Sequence, residues 1–365
     1  MGIRLLLGDC LKLMKNFPSD SIDSVVTDPP YGLSFMGKKW DYDVPAVEVW
    51  AECLRVLKPG GHLLAFAGTR TQHRMAVRIE DAGFEIRDMI AWVYGSGFPK
   101  SLDVSKAIDA KITTGGSSMR QLRQRAMGAD YEPHRLAGTV AFGMGRGGGF
   151  GADESRDRSK DKEIATPEAK HWQGWGTALK PALEPITVAR KPLSGTVAEN
   201  VLQHGTGALN VDGCRVGNES TVRTRGDSVS SAGWASVNRS PVGGSESGRW
   251  PANLIHDGSE EVVGLFPDAG GEQSAARFFY CAKASKKDRG EGNTHPTVKP
   301  TALMQYLCRL VTPPSGTILD PFMGSGSTAI AAARENFSFV GIEMLREHFE
   351  TAKRRVTVER GKSKS

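Results

Sequence analysis

Two regular stretches at the chain ends, separated by a long irregular middle, limit the folds open to this 365-residue chain. Alternating strand-like and helix-like patterns cover residues 1–104 and return at residues 276–358. Neither stretch has enough strands to bury both faces of a sheet by itself. We therefore predict one α/β domain, with a mixed but mostly parallel sheet that is assembled from both chain ends and flanked by helices.

The elements of the two regular stretches follow from apolar periodicity and from Gly and Pro stops. The first stretch is predicted to hold strands Ile3–Leu7, Ile22–Val26, His62–Ala67 and Phe84–Val93, with helices over Val44–Leu57 and Thr71–Ala82. The second is predicted to hold strands Thr317–Leu319 and Ser338–Ile342, with helices Thr301–Val311, Ser327–Glu335 and Leu345–Val356. The charged residues 359–365 are predicted to form a flexible tail.

The middle of the chain, residues 105–275, has a different composition. Residues 141–151 and 228–248 are rich in Gly and Ser and show almost no periodicity. We predict an inserted, loop-rich region with partial order, in which Pro185–Ala189 and Asn253–His256 form isolated strands. The alternative is that much of this region is flexible linker.

Composition excludes several classes of protein. The five cysteines form no CxxC pair and no spaced Cys/His cluster, which argues against a disulfide framework and structural zinc and favours a reducing cytosol. No run approaches the roughly 18 apolar residues that span a bilayer, and Ile3–Leu7 is typical of a first strand rather than a signal peptide. The net charge of +6 fits a polyanionic partner, although many soluble proteins reach it without one.

A glycine loop, Asp320–Thr328, follows the predicted strand Thr317–Leu319 and precedes a helix. It lacks the lysine of a triphosphate-binding loop. It also lacks the third glycine of the dinucleotide pattern, because position 329 is Ala; that pattern permits Ala, so this exclusion is weak.

Two acids at the loop favour a cofactor without phosphate. Asp320 would repel a pyrophosphate but suits the cationic amino acid end of S-adenosylmethionine. Glu343 ends the next strand, 23 residues later (343 − 320), at the spacing of an acid that binds ribose hydroxyls. The alternative is that both acids cap helices.

The segment Thr27–Gly32 (TDPPYG) follows the predicted strand Ile22–Val26. Asp28 and the Pro29 carbonyl can accept the two hydrogens of an exocyclic amine, and the consecutive prolines Pro29 and Pro30 fix those acceptors. Tyr31 would stack on a nucleobase extruded from the duplex. Carbon-5 cytosine methylation needs a nucleophilic cysteine after a proline, and the chain has no Pro-Cys pair. Taken alone, Asp-Pro-Pro-Tyr is also a plausible turn.

With these motifs in this order, the chain resembles the permuted β-class of DNA amino-methyltransferases, which place the Asp-Pro-Pro-Tyr segment first and the cofactor loop last. The segments that carry the resemblance are Gly8-Asp9-Cys10, Ser24 to Gly32, His295-Pro296-Thr297-Val298-Lys299-Pro300 and Asp320 to Thr328. The resemblance covers roughly residues 1–100 and 278–356 and implies a Rossmann-like sheet. Shorter segments of the middle, such as Gly248–Asn253, are similar to phage and prophage members of the class.

The resemblance also assigns residues. It implies that Asp28, Pro29, Pro30 and Tyr31 act on the target base, and that S-adenosylmethionine is held by Asp9, His295, Lys299, Asp320, Phe322, Gly324, Ser325, Gly326 and Glu343. Lys299 is a suitable cation for the carboxylate of the cofactor. A solvated Lys299 and a structural His295 are the alternatives. No metal is expected.

Arginines in the middle region are candidates for DNA contact, chiefly Arg146 in the glycine-rich stretch, with Arg120 and Arg123. Acidic residues dilute this charge, so a mixed, solvated surface is the alternative.

We therefore expect a cytoplasmic enzyme of a bacterial cell or phage-infected host, which flips and methylates the N6 amine of adenine within a short sequence of double-stranded DNA. An Asp before Pro-Pro-Tyr favours adenine within the class. N4-cytosine methylation at the same site is the main alternative, followed by an RNA-directed enzyme; a small-molecule methyltransferase or a catalytically silent DNA-binding protein are further rivals. A homodimer and a cognate restriction enzyme on another chain stay open, and no membrane association is expected.

Overall fold

The computed structural model describes residues 2–33, 42–95, 97, 101–113, 164–217, 223–224, 241–243, 248–266, 279–281, 283–295 and 297–362. The chain divides into two compact units, one of residues 1–96 and 182–365 and the other of residues 97–181. The three arginines predicted to contact DNA, Arg120, Arg123 and Arg146, lie outside the described residues.

The described strands are β1 (Ile3–Leu7), β2 (Ile22–Thr27), β3 (Leu57–Phe66), β4 (Glu85–Val93), β5 (Leu183–Arg190), β6 (Arg223–Thr224), β7 (Pro241–Gly243), β8 (Leu254–His256), β9 (Phe279–Tyr280), β10 (Thr317–Asp320) and β11 (Ser338–Glu343). The helices are α1 (Cys10–Met14), α2 (Val47–Val56), α3 (Gln72–Asp81), α4 (Val104–Thr113), α5 (Pro167–His171), α6 (Val197–His204), α7 (Glu260–Val263), α8 (Lys286–Arg289), α9 (Thr301–Val311), α10 (Ser327–Arg334) and α11 (Arg346–Lys362).

Nine strands form one sheet in the order β1-β11-β10-β2-β3-β5-β4-β8-β9. All neighbouring pairs are parallel except the two that involve β5, which runs antiparallel to both β3 and β4. The two chain ends meet where β10 pairs with β2, with Leu319 opposite Val25. The prediction of a mixed, mostly parallel sheet built from both ends is thus confirmed.

The middle of the chain contributes more to this sheet than its composition suggests. Of the segments predicted as isolated strands, Pro185–Ala189 lies within β5 and Asn253–His256 overlaps β8. Both strands join the main sheet, so that prediction is wrong. The physical reason is burial: Ile186 and Ala189 of β5 are fully buried between β3 and β4, and unpaired backbone groups there would be costly. Local composition does not reveal this pairing.

Helices cover both faces of the sheet. On one face, α9 and α10 bury Leu303, Leu307 and Ala331, whereas on the other α2 and α3 bury Trp50 and Met75. Apolar side chains recur at helical spacing, which is why the predicted bounds of all the helices but the last agree with the structure to within three residues. The last helix, α11, continues to Lys362, four residues into the segment predicted as a flexible tail.

The smaller unit, residues 97–181, contains α4 and α5. The carboxylate of Asp109 in α4 accepts hydrogen bonds from the backbone N–H groups of Ala165 and Thr166 and from the Thr166 hydroxyl, at 2.9–3.1 Å. These bonds hold α4 against the start of α5. Just beyond α5, the rings of Trp172 and Trp175 pack edge to face, 5.1 Å apart.

Candidate active site

Four carboxylates lie at the ends of four neighbouring strands. Glu343 is the last residue of β11 and Asp320 the last of β10, Asp28 directly follows β2, and Asp9 lies two residues beyond β1. These strands are parallel neighbours in the sheet, so their carboxyl ends share one edge. In open α/β sheets, ligands bind at this edge. The fold therefore brings the two motifs of the sequence together.

Asp320 joins the two motifs directly. Its Oδ1 accepts a 2.6 Å hydrogen bond from the hydroxyl of Thr27, the residue before Asp28, and a 3.1 Å bond from the N–H of Phe322. Its Oδ2 accepts a 2.6 Å bond from the Thr328 hydroxyl at the start of α10. Burial raises the pKa of this carboxyl group to about 6, against the opposing effect of these hydrogen bonds. Asp320 thus fixes the shape of the glycine loop and its position beside the Asp28 turn.

The glycine loop depends on backbone geometry that favours glycine. Gly324 and Gly326 have φ angles of 54° and 84°. The N–H of Gly324 donates to Glu343 Oε2 at 2.9 Å, and the N–H of Leu345 donates to Oε1 at 2.7 Å. A Cβ atom on Gly324 would lie only 2.9 Å from Nε2 of His295. Burial raises the pKa of Glu343.

His295 and Ser325 line the other side of the loop. The imidazole of His295 packs edge to face on His348, with ring centroids 4.4 Å apart, and its Nδ1 lies 2.8 Å from the Thr297 carbonyl. Burial and the neighbouring His348 lower the pKa of His295 to about 4, so its ring is neutral at pH 7. The Ser325 hydroxyl is held by Arg355 at 3.0 Å and by the side chain of Asn293 at 3.2 Å.

The remaining predicted cofactor residues lie at the same edge. Asp9 is exposed and caps α1, since its Oδ1 accepts from the N–H of Lys12 at 3.1 Å. Phe322 packs at a tilt against Trp50, 6.2 Å between ring centroids.

The turn that follows β2 is organised around Asp28. Its Oδ1 accepts a 2.7 Å hydrogen bond from the Tyr31 hydroxyl, and its Oδ2 accepts a 2.7 Å bond from Nζ of Lys299. Of the two residues between Asp28 and Tyr31 in the chain, Pro29 is buried and Pro30 is partly buried. The Thr71 hydroxyl donates to the Tyr31 carbonyl at 2.6 Å and fixes the end of the turn. The carboxylate of Asp28 is therefore held in one orientation by two donors.

Lys299 lies in the chemical half of the site. Its side chain is only 8% exposed, and Nζ contacts Asp28 as well as Glu184 Oε2 at 3.3 Å. Burial acts to lower the pKa of Lys299, but Asp28 and Glu184 outweigh this effect and raise it. The ammonium group therefore stays charged. The predicted contact of Lys299 with the carboxylate of the cofactor stays a prediction.

Glu184 and Tyr94 complete the cluster, and sequence reasoning missed both. Glu184 Oε2 accepts from the Tyr31 hydroxyl at 3.2 Å, and Oε1 accepts from the Tyr94 hydroxyl at 3.3 Å. Burial, with the charges of Asp28 and Glu184, raises the pKa of Tyr31 well above its usual value, so the phenol stays protonated. The one available signal was an acidic residue directly before the apolar run Pro185–Ala189.

Within the described part of the chain, no group of three or more His, Cys, Asp or Glu side chains could hold a metal ion. No helix among those residues is both long enough and apolar enough to cross a membrane.

The sequence matches the model of a DNA methylase family, the N6/N4 methyltransferases, over residues 22–112 and 162–354. The match covers well over half of the chain, which therefore belongs to this family of S-adenosylmethionine-dependent DNA methyltransferases. The prediction of a DNA amino-methyltransferase is confirmed at this level.

Individual relatives share modest identity. The type II methyltransferase M.HindIII of Haemophilus influenzae is 25% identical over 318 residues, which is 86% of this chain and 69% of the relative. The type II methyltransferase M.HpaI of Haemophilus parainfluenzae is 32% identical over 120 residues, 30% of this chain and 37% of the relative. The crystal structure of M1.HpyAVI with S-adenosylmethionine matches 97% of this chain and 99% of its own, at 18% identity and a TM-score of 0.44.

Proposed function

We propose that this protein transfers a methyl group from S-adenosylmethionine to the N6 amine of adenine within a short recognition sequence of double-stranded DNA. The observation that carries the proposal is the position of Asp28. Its carboxylate is held by Lys299 and Tyr31 at a strand end directly beside the strand that leads into the glycine loop. The carboxylate that would accept hydrogens from the amine and the glycine loop that would hold the cofactor therefore lie side by side.

The residues at the loop fit the cofactor. A glycine at position 324 leaves space that a Cβ atom would fill, and no cationic side chain of a phosphate site follows it in the loop. Glu343 would bind the ribose hydroxyls, Asp9 would lie near the adenine end, and His295 and Ser325 would line the site around the cofactor. When bound, the cofactor supplies an electrophilic methyl group on a sulfonium. The acidic edge favours such a cation.

Asp28 and the Pro29 carbonyl would accept the two hydrogens of the exocyclic amine. This orients a nitrogen whose lone pair is otherwise delocalised into the ring, and the fixed turn keeps the reorganisation small. Tyr31 would stack on the base, which must leave the duplex to reach the site. Asp28 needs no unusual basicity, because the nitrogen becomes cationic on methylation and then loses a proton readily.

The choice of adenine rests on the Asp of Asp-Pro-Pro-Tyr, which favours adenine within the class. N4 of cytosine presents the same two hydrogens and is the second candidate. RNA is the less favoured substrate, since the family matched is one of DNA methylases.

The chain is proposed to use residues 1–104 as the catalytic half and 276–358 as the cofactor half. Target recognition would lie within residues 105–275, with Arg146, Arg120 and Arg123 on DNA. Replacing Arg146 with alanine should weaken DNA binding and reduce its dependence on salt. The relatives M.HindIII and M.HpaI are named type II methyltransferases, which supports a restriction-modification role for this chain. A cognate restriction enzyme on another chain and a homodimer are further parts of the proposal.

The purified protein tests this directly. It is incubated with S-adenosylmethionine and PCR-amplified genomic DNA, which carries no modified bases, and in parallel with structured RNA. The products are digested to nucleosides and separated by mass. N6-methyladenine from DNA alone supports the proposal. N4-methylcytosine would establish the second candidate, and methylation of RNA alone would overturn the assignment to DNA.

A further inference from the structure

Glu184 reaches the active site because of the direction of its strand. It is the second residue of β5, which runs antiparallel to its neighbours β3 and β4. The start of β5 therefore lies at the edge of the sheet where the parallel strands end. Glu184 pairs in register with Trp92, two residues before Tyr94.

The contacts of Glu184 all lead toward Asp28. Its Oε2 lies 3.3 Å from Nζ of Lys299 and 3.2 Å from the hydroxyl of Tyr31. Both of those groups also contact Asp28, each at 2.7 Å. Its Oε1 is occupied by the hydroxyl of Tyr94, at 3.3 Å. Two carboxylates thus share one ammonium group and one phenol.

We propose that Glu184 is a positioning residue for methyl transfer, which acts through Lys299 and Tyr31 on Asp28. This inference rests on the proposed function of the site and adds a residue to it.

Glu184 changes the net charge of the cluster around Asp28. Asp28 paired with Lys299 alone would form a neutral ion pair, and a neutralised carboxylate is a weaker acceptor for an amine that becomes positive during the reaction. With Glu184 the cluster of Asp28, Glu184 and Lys299 carries one net negative charge. Preorganised negative charge close to a nitrogen that becomes cationic stabilises the transition state. Glu184 also gives the ammonium group of Lys299 a second anionic partner, at 3.3 Å, which helps to fix its position beside Asp28.

The test compares two substitutions of the same kind on neighbouring strands. Glu184→Gln keeps the shape of the side chain and removes its charge. Glu85→Gln is the matched control, because Glu85 pairs with Arg190 at the far end of the β4–β5 pair, 2.6 Å apart. Methyl transfer from tritiated S-adenosylmethionine to PCR-amplified genomic DNA gives kcat and KM, and calorimetric titration gives the cofactor Kd.

Glu184→Gln is expected to lower kcat about 30- to 100-fold, with the KM for DNA and the cofactor Kd within about twofold of wild type. Glu85→Gln should leave all three unchanged. In a Lys299→Met background, Glu184→Gln should cost no more than about a further threefold, since residues that act through one another are not additive.

An active wild type with a normal kcat in Glu184→Gln overturns this inference and leaves the proposed function standing. Loss of cofactor binding in step with kcat, or full additivity with Lys299→Met, also overturns it. A wild-type protein that transfers no methyl group to DNA overturns the proposed function, and this inference with it.

Discussion

Nζ of Lys299 lies 2.7 Å from a carboxylate oxygen of Asp28, although the two residues are 271 positions apart in the chain. The contact joins the turn after β2 to the segment that leads into α9. It ties the half of the domain proposed to act on the base to the half proposed to hold the cofactor.

Lys299 is predicted to stabilise the folded state. In Lys299→Met, the Asp28 and Glu184 carboxylates, 18% and 21% exposed, would face each other without a cation. Removing one partner of a buried ion pair costs about 3 kcal/mol or more. Urea unfolding measures the change in the free energy of unfolding. Lys106→Met is the control, because Lys106 and Asp103 are each 50% exposed and 4.0 Å apart, and it should change stability by less than about 0.5 kcal/mol. Equal changes in the two variants would contradict the account.

Asp320 is predicted to make stability depend on pH. Its pKa is about 6 in the folded protein, against 3.8 for an unperturbed carboxyl group. Between those values the folded state keeps a proton that the unfolded chain has lost. Its contribution is therefore fully present below pH 4 and is lost as the pH rises to about 6. Over this pH range, the free energy of unfolding of the wild type should fall by on the order of 2–3 kcal/mol relative to that of Asp320→Asn.

The measurement is the difference in free energy of unfolding between wild type and Asp320→Asn at several pH values from 4 to 7. Glu343 and the other acids titrate in both proteins and cancel in the difference. This prediction is wrong if the difference in free energy of unfolding does not change with pH. It is also wrong if the wild type gains stability relative to Asp320→Asn as the pH rises.

Gly324 is predicted to be required for cofactor binding. Alanine there meets both a φ of 54° and a contact of 2.9 Å with His295 Nε2. We expect Gly324→Ala to weaken S-adenosylmethionine binding at least about tenfold. The added methyl group strains the backbone and also forces the loop to move away from His295. Gly174→Ala is the control, since Gly174 has a φ of 83° and open space around its Cβ position. Calorimetric titration measures the Kd for S-adenosylmethionine in both variants. An unaltered Kd in Gly324→Ala would show that the loop does not hold the cofactor.

Much of the fold could be predicted from the sequence because its signals are local. The predicted bounds of the helix Thr301–Val311 equal the observed ones, because apolar spacing and the flanking Pro300 and Pro313 mark them. The Asp28 turn and the glycine loop were recognisable because each follows a short β-branched or aliphatic run. Parallel strands then place both at one edge without further information.

The partners within the site could not be predicted, because they depend on pairing over long distances. Glu184 contacts Tyr31 across 153 positions, and it does so only because β5 is reversed between two parallel strands. Its sequence neighbours indicate only an acid before a strand. For Lys299, the sequence predicts a nearby anion but not which one. The carboxylate of the cofactor is as reasonable a candidate as Asp28, which the structure places 2.7 Å from Nζ.

Mapping of modified bases in DNA from cells that express the protein shows whether Asp28 directs methyl transfer to an adenine amine of DNA. Wild-type protein should produce N6-methyladenine at one short recurring sequence, and Asp28→Ala, expressed to the same level and binding S-adenosylmethionine equally well, should produce none. Undiminished methylation with Asp28→Ala, or no modified base with the wild type, would contradict the account.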